Sequence, residues 1–248
     1  MIKVSVYIVN RNYSEFLKKC IKSVLNQNFR HYEILIIDDN SSDNSLNIIN
    51  TYKKIKNCRI FLRKKRFGLI KNINFAIKKA KGRFILRLDA DDYLRVDALK
   101  NLFQIISKNR NAGLIFPDYY LINKNSKMLS RFKYKHKRYY GLEDFPAHGA
   151  CSMINLKKLK KIGGYSEKFD RQDGYYIWLL IILNNLKILH CKKPLFYYRK
   201  HGQNLSKDIK KILKARKKIL DHFLQKKYKS NDLLISKKID TMSKLKKL

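Results

Sequence analysis

Apolar positions along the N-terminal part of the chain follow two rhythms, short unbroken runs and a spacing of three or four. Val4 to Val9 is apolar but for Ser5 and reads as a short strand. Ser14 follows as the expected N-cap with Glu15 in the first turn, and Phe16, Leu17, Cys20, Ile21, Val24 and Leu25 recur at helical spacing. Ile34-Leu35-Ile36-Ile37 is continuous again and stops at Asp38-Asp39. Continuous rather than alternating apolar character belongs to a strand covered on both faces, as in a parallel sheet. Leu46, Ile48, Ile49, Tyr52 and Ile55 predict a second helix, and Arg59 to Leu62 a third strand. Leu69 to Ala80 predicts a third helix, with Gly82 expected at its C′ position. Phe84 to Leu88 is a strand that ends in Asp89-Ala90-Asp91-Asp92. Repeated strand–helix units predict the α/β class: a Rossmann-like, mostly parallel sheet with helices on both faces.

Open parallel sheets bind ligands at the carboxyl ends of their strands, and both acidic clusters fall there. With 19 acidic residues in the whole chain, the compact set Asp89, Asp91 and Asp92 stands out. Two carboxylates in a bend at a strand end can converge on one hard cation. The competing reading is a run of caps and turn formers opening a helix near Val96. Asp38-Asp39 with Ser41-Ser42-Asp43 carries both readings too, since Ser and Asp are ordinary N-caps.

Composition narrows the class. The chain has 248 residues, comfortable for one domain, and 45% hydrophobic residues, enough for a core and too many for a disordered chain. Nine Gly and three Pro exclude collagen-like and proline-rich architectures. The net charge of +38, from 57 Lys and Arg against 19 Asp and Glu, implies anionic partners or surroundings. Abundant Lys, Asn and Ile offer a second cause, the codon bias of an AT-rich genome. Cys20, Cys58, Cys151 and Cys191 form no C-x-x-C pair, which fits reduced core thiols in a cytoplasmic protein rather than a disulfide framework. The apolar run Ile177 to Leu183 is too short to cross a bilayer, and the N-terminus lacks a signal-peptide layout. The expectation is a soluble or peripheral protein.

The motifs then become specific. Asp38-Asp39-Asn40-Ser41-Ser42-Asp43-Asn44-Ser45 resembles the D-D-x-S-x-D-x-S signature of family-2 glycosyltransferases with the GT-A fold. Gly68-Leu69-Ile70-Lys71-Asn72 resembles their G-x-x-[RK]-N segment, Ala80-Lys81-Gly82 their A-K-G approach, and Leu88 to Asp92 their D-x-D loop. Gly163-Gly164-Tyr165 through Phe169 and Gln172-Asp173 are similar to the acceptor-side G-G-[FY]-x-x-x-F…[EQ]-D motif. Tyr198-Arg199-Lys200-His201 through Ser206 is similar to the Y-R-x-H…S segment. The resemblance spans residues 1–206, with the motifs in the family's order.

The resemblance implies a catalytic domain over 1–206, with a nucleotide-sugar part (1–95) and an acceptor part (96–206), and a basic helical tail over 207–248. It implies that Asp91 holds a divalent cation, Mn²⁺ or Mg²⁺, which suits carboxylate and phosphate oxygens. Asp89 would contact the ribose or the cation's water shell, Lys71 the diphosphate, Asp39 the nucleobase, and His201 the metal or the diphosphate. Asn10 and Arg11 occupy the first strand end, in Asn10-Arg11-Asn12 where relatives often carry T-Y-N, and Arg11 could stack on a base. An inverting transfer needs a base to deprotonate the acceptor hydroxyl. Asp173 is the candidate, with an N-cap role as its alternative and Glu167 and Asp170 as competitors. Relatives commonly place a second acid before the Trp, whereas this chain reads Gly174-Tyr175-Tyr176-Ile177-Trp178.

Two regions stay open. Tyr134, His136, Tyr139, Tyr140 and His148 lie near basic residues from Lys124 to Arg138 and could bind an acceptor sugar or form a solvated loop. From Lys207 to Leu248 the charge is +11, and Ile209, Ile212, Leu213, Ile219, Leu220, Phe223 and Leu224 recur near helical spacing. That amphipathic basic stretch either docks on the anionic inner face of the cell membrane or packs on the catalytic domain. The functional expectation is a transferase moving sugar from a nucleotide-diphosphate sugar, most simply a UDP-sugar, to a glycan or lipid-linked acceptor of surface polysaccharide synthesis. A basic α/β nucleic-acid-binding protein is the alternative the charge alone suggests. No nucleic-acid partner is expected, because no such motif is present and strand-end acids repel phosphate backbones.

Overall fold

The computed structural model describes residues 1–135, 138–139, 142–143, 149–202 and 209–225. The first half is a run of strand–helix units: β1 (Val4–Asn10), α1 (Ser14–Leu25), β2 (Tyr32–Asp38), α2 (Ser45–Asn50), β3 (Cys58–Leu62), α3 (Leu69–Lys79) and β4 (Phe84–Asp89). There follow β5 (Tyr93–Leu94), α4 (Ala98–Ser107), β6 (Ala112–Ile122), β7 (Met128–Phe132), β8 (Arg138–Tyr139), β9 (Leu142–Glu143) and β10 (Met153–Asn155). The last elements are α5 (Leu156–Lys161), α6 (Asp173–Leu183), β11 (Lys187–Arg199) and α7 (Ile209–Gln225). One sheet runs β3-β2-β1-β4-β10-β6-β11-β5, with β7 paired to β6, and β8 pairs β9 separately. The pairings from β3 to β4 are all parallel, as the unbroken apolar runs predict. Beyond them the sheet is mixed: β10 is antiparallel to both β4 and β6, while β11 is parallel to β6.

Each face of the sheet carries its own apolar layer. Val6, Ile8, Leu86 and Leu88 pack against α1 and α4, whereas Tyr7, Leu35, Ile37 and Ile85 pack against α3, α6 and α7. Successive strand side chains point to opposite faces, so Arg87 and Asp89 of β4 share the second face with Ile85.

Three helix ends differ from the sequence expectation. Ser14 is the first residue of α1 rather than its cap, Tyr13 stands at the cap position, and the Ser14 amide donates to Asp43 Oδ2 at 2.8 Å. The helix read through Ile55 is shorter, because turns replace it after Asn50. Gly82 is not a left-handed C′ residue, since α3 ends in an extended Ala80. A Cβ on Gly82 would instead lie 2.6 Å from the Ser5 amide nitrogen and 2.8 Å from the Phe84 carbonyl. Glycine is needed there because neighbouring backbone passes too close for a side chain.

The helical part of the basic tail is packed. Ile219, Leu220 and Phe223 of α7 are buried, Phe223 stacks on Tyr176 of α6 at 5.2 Å, and Arg216 Nε donates to Gln172 Oε1 at 3.0 Å. Leu213 remains exposed. Residues 226–248 lie outside the described residues, as do His136, Tyr140 and His148. Tyr134 is held by the core: its amide donates to Asp118 Oδ1 at 3.0 Å and its ring meets Phe116 edge-on.

Candidate active site

Register brings three strand ends into line, with Asn10 opposite Asp38 and Val9 opposite Asp89. Asp38 accepts Asn10 Nδ2 at 2.8 Å, the Ser41 amide at 2.9 Å and the Ser41 hydroxyl at 2.6 Å. Asp43 accepts the Ser14 and Ser45 amides, tying the starts of α1 and α2 to one loop. Asp39 is 2% exposed and accepts the amides of Phe67 at 2.7 Å and Gly68 at 2.9 Å. Arg11 Nη1 donates to the Asp39 carbonyl at 3.2 Å. The acids of this segment therefore build the loop they sit in. Gly68 has φ +85°, a conformation that favours glycine, and its carbonyl accepts Asn72 Nδ2 at 2.9 Å. Gly68 and Asn72 shape the start of α3, and Lys71 in its first turn is exposed.

Asp89 and Asp91 take partners from opposite layers. His201 Nε2 lies 2.8 Å from Asp91 Oδ2, and its ring packs on Tyr13 and Phe16 beside α1. Burial, then the Asp89 charge, raises the Asp91 pKa, and the hydrogen bond with His201 opposes that rise. Burial also lifts the Tyr13 hydroxyl to about 12, with Asp91 and Asp89 adding to it. Asp92 Oδ1 accepts the Arg199 amide at 2.8 Å, whereas its buried Oδ2 has no hydrogen-bond partner. Burial, Asp91 and Asp89 push the Asp92 carboxyl well above the usual range. Arg199 straps this loop down: Nε donates to the Asp91 carbonyl at 2.8 Å, and Nη1 to Asn123 O, Lys124 O and Ser126 Oγ.

Asp173 reaches the same strand end from the other layer. It is the first residue of α6, and Gln172 holds the cap position in a left-handed conformation with no cap hydrogen bond from its side chain. Its carboxylate forms a short ion pair with Arg87 Nη1, whose Nε donates to Asp89 Oδ1 at 2.5 Å. Glu167 and Asp170, the competing acids, are exposed, and Glu167 accepts only a long 3.4 Å bond from Asn74 Nδ2. The structure thus gathers Asn10, Arg11, Asp39, Asp89, Asp91, His201 and Asp173 around the strand ends. Sequence reasoning missed Arg87 and Arg199 as the organisers. The available signal was one arginine inside the apolar run Phe84-Ile85-Leu86-Arg87-Leu88.

The donor set suits a hard divalent cation. A carboxylate and an imidazole stand together, three acids crowd one bend, and one oxygen of buried Asp92 has no hydrogen-bond partner among the described residues. Among the described residues, no three His, Cys, Asp or Glu side chains form a complete cage. Substrate oxygens and water would have to complete the shell.

A parallel half-sheet ending in paired acids, closed by a mixed half that adds a histidine and a third acid, defines a GT-A glycosyltransferase. Residues 5–163, more than half of the chain, match the model of glycosyl transferase family 2, and the chain belongs to that family. It is 30% identical over 246 residues to an uncharacterised glycosyltransferase of Methanocaldococcus jannaschii, covering 94% of this chain and 84% of that protein. It is 29% identical over 205 residues to the Escherichia coli UDP-Glc:alpha-D-GlcNAc-diphosphoundecaprenol beta-1,3-glucosyltransferase WfaP, covering 82% of this chain and 79% of that one. Among solved structures, S. aureus TarS 1-349 in complex with UDP-GlcNAc superposes with TM-score 0.77 at 19% identity, covering 98% of this chain and 71% of TarS. The Pyrobaculum calidifontis mannosyltransferase PcManGT, in complex with GDP-Man and Mn²⁺, superposes with TM-score 0.71 at 13% identity, covering 99% and 70%. These two share the fold. Among the described residues no helix is long and apolar enough to cross a membrane.

Proposed function

We propose that this glycosyltransferase is inverting and metal-dependent and moves a sugar from a UDP-sugar to a glycan or lipid-linked acceptor in bacterial surface polysaccharide synthesis. The supporting observation is the convergence of Asp89, Asp91, His201 and Asp173 from three segments on one sheet end. Asp91 and His201 would hold the cation. A divalent metal bound there offsets the negative charge that grows on the departing diphosphate. Lys71 supplies a point charge to that diphosphate, Asn10, Arg11 and Asp39 line the nucleoside end, and Asp89 reaches the ribose or the cation's water. Asp173 takes the proton of the acceptor hydroxyl as that oxygen attacks the anomeric carbon. One displacement inverts the centre. The name of WfaP, with UDP-Glc and a diphospholipid acceptor, supports this choice of donor and acceptor, and that of PcManGT, with GDP-Man and Mn²⁺, supports a nucleotide-sugar donor and a divalent cation. Residues 207–248, with their +11 charge, bring the enzyme to the anionic inner face of the membrane.

The test is a donor-hydrolysis screen over nucleotide sugars with Mn²⁺, followed by the anomeric configuration of the transferred sugar. Hydrolysis of a UDP-sugar that stops in EDTA, and product of inverted configuration, are expected. Turnover that persists in EDTA removes the metal, and a retained anomer removes the single displacement.

A further inference from the structure

We propose that Arg87 is a positioning residue that locks the Asp173 carboxylate to the strand carrying the D-x-D acids, so that base and donor site share one rigid reference. The proposal rests on the reading of Asp173 as the base. Arg87 lies in the middle of β4, with a side chain 10% exposed, on the strand that leads straight into Asp89 and Asp91. Its guanidinium is a planar fork: Nε holds Asp89 Oδ1, and Nη1 holds Asp173 Oδ2. Burial works against the cation, yet the charges of Asp173 and Asp89 hold its pKa well above the ordinary arginine value. The fork therefore stays charged.

Three further features make this a built arrangement. Tyr7 stands beside Arg87 across the β1–β4 register, and it shares a hydrogen bond with buried Tyr165, walling the guanidinium on that side. Gly149 closes the other side: an added Cβ would come 2.8 Å from Arg87 Nη1 and 3.2 Å from Asp173 Oδ2. Asp173 is also the first residue of α6 rather than its cap, the position held by Gln172. Among the described residues, its second oxygen takes no hydrogen bond, so one oxygen is anchored and the other is left for an acceptor hydroxyl. A base held in this way avoids the loss that an ångström of misplacement produces.

Two variants perturb the lock differently. Arg87→Lys keeps the charge and loses the fork; Gly149→Ala keeps every charge and displaces the guanidinium. Each is compared with Asp173→Asn for melting temperature, UDP–Mn²⁺ affinity by calorimetry, and hydrolysis of the donor selected by the screen. The expected result is a kcat lower by roughly 10²-fold, with UDP–Mn²⁺ affinity and donor KM weakened much less, since Asp89 loses one partner but stays in place. In the Asp173→Asn background neither variant should lower kcat further, since the group it positions is gone. An additional full loss in that background would overturn the proposal, because Arg87 would then act elsewhere. Native kcat in both variants beside an inactive Asp173→Asn would overturn it as well, leaving the base intact. Full turnover by Asp173→Asn alone is a different failure, that of the base itself, and takes the proposal with it. Should Arg87→Lys melt below the assay temperature, Gly149→Ala carries the same comparison.

Discussion

Replacing Arg199 by lysine should loosen the D-x-D loop without touching an acid. Arg199 is 2% exposed, and its side chain donates to Asp91 O, Asn123 O, Lys124 O and Ser126 Oγ while its guanidinium lies 4.7 Å from the centre of the Phe16 ring. A lysine ammonium at that depth is a single point donor and retains one or two of these bonds. Each lost bond costs about 1 kcal/mol net, and a buried carbonyl left unpaired costs about 1–3 kcal/mol, so a loss of about 3–4 kcal/mol follows. In a chain of this size that corresponds to a melting point lower by about 6–16 °C. Thermal unfolding of the metal-free protein followed by circular dichroism measures it. Calorimetry should also show weaker UDP–Mn²⁺ binding, because Asp91 and His201 are anchored through this residue and its strand. A shift under about 2 °C with native nucleotide affinity would refute the reasoning and show that the β6–β7 turn and the D-x-D loop hold independently.

Asp91→Asn should abolish transfer while leaving the metal-free melting point equal or higher, because burial already disfavours the charged Asp91 carboxylate; retained metal-dependent turnover would remove the metal assignment. Asp92 has a folded-state pKa above its unfolded value, so its contribution to stability is greatest in acid and is lost as pH rises through the folded value. Metal-free wild type should accordingly lose stability relative to Asp92→Asn as the pH climbs from about 4, and a difference flat with pH would contradict this. A chain ending at Gln225 should melt like the full-length protein and bind anionic vesicles less, and equal binding at low salt would place the lipid contact elsewhere. Ending at Ser206 instead removes Ile219, Leu220 and Phe223, at about 1.5–3 kcal/mol each, and should destabilise the fold.

The legible half of the fold was the half whose strands are buried on both faces. Val4–Val9, Ile34–Ile37 and Phe84–Leu88 announce themselves because they are apolar but for Ser5 and Arg87 and end at polar residues. The mixed half was opaque because β6 and β11 run into half-buried, aromatic-rich stretches such as Tyr119-Tyr120 and Tyr197-Tyr198, where period and burial no longer coincide. The acids were legible as a cluster, but their duties were not. Asp39 holds two loop amides and Asp43 two helix starts, and only the coordinates separate such acids from Asp91. Gly82 and Gly149 were invisible as spacers, since steric need arises from chain segments distant in sequence.

The long sequence separations inside the site set the order in which it can come into being. The neighbouring pairs β1–β2 and β2–β3 are each joined by one helical crossover, so their closure costs less chain entropy than the longer separations that complete the site. Asp91 meets His201 across 110 residues and Arg87 meets Asp173 across 86, contacts that only the last strands and α6 can deliver. On the roles proposed above for these acids, a half-folded chain carries them without their partners and should turn over no donor. On that reading, a nucleotide sugar would meet a competent site only on a molecule that has finished folding.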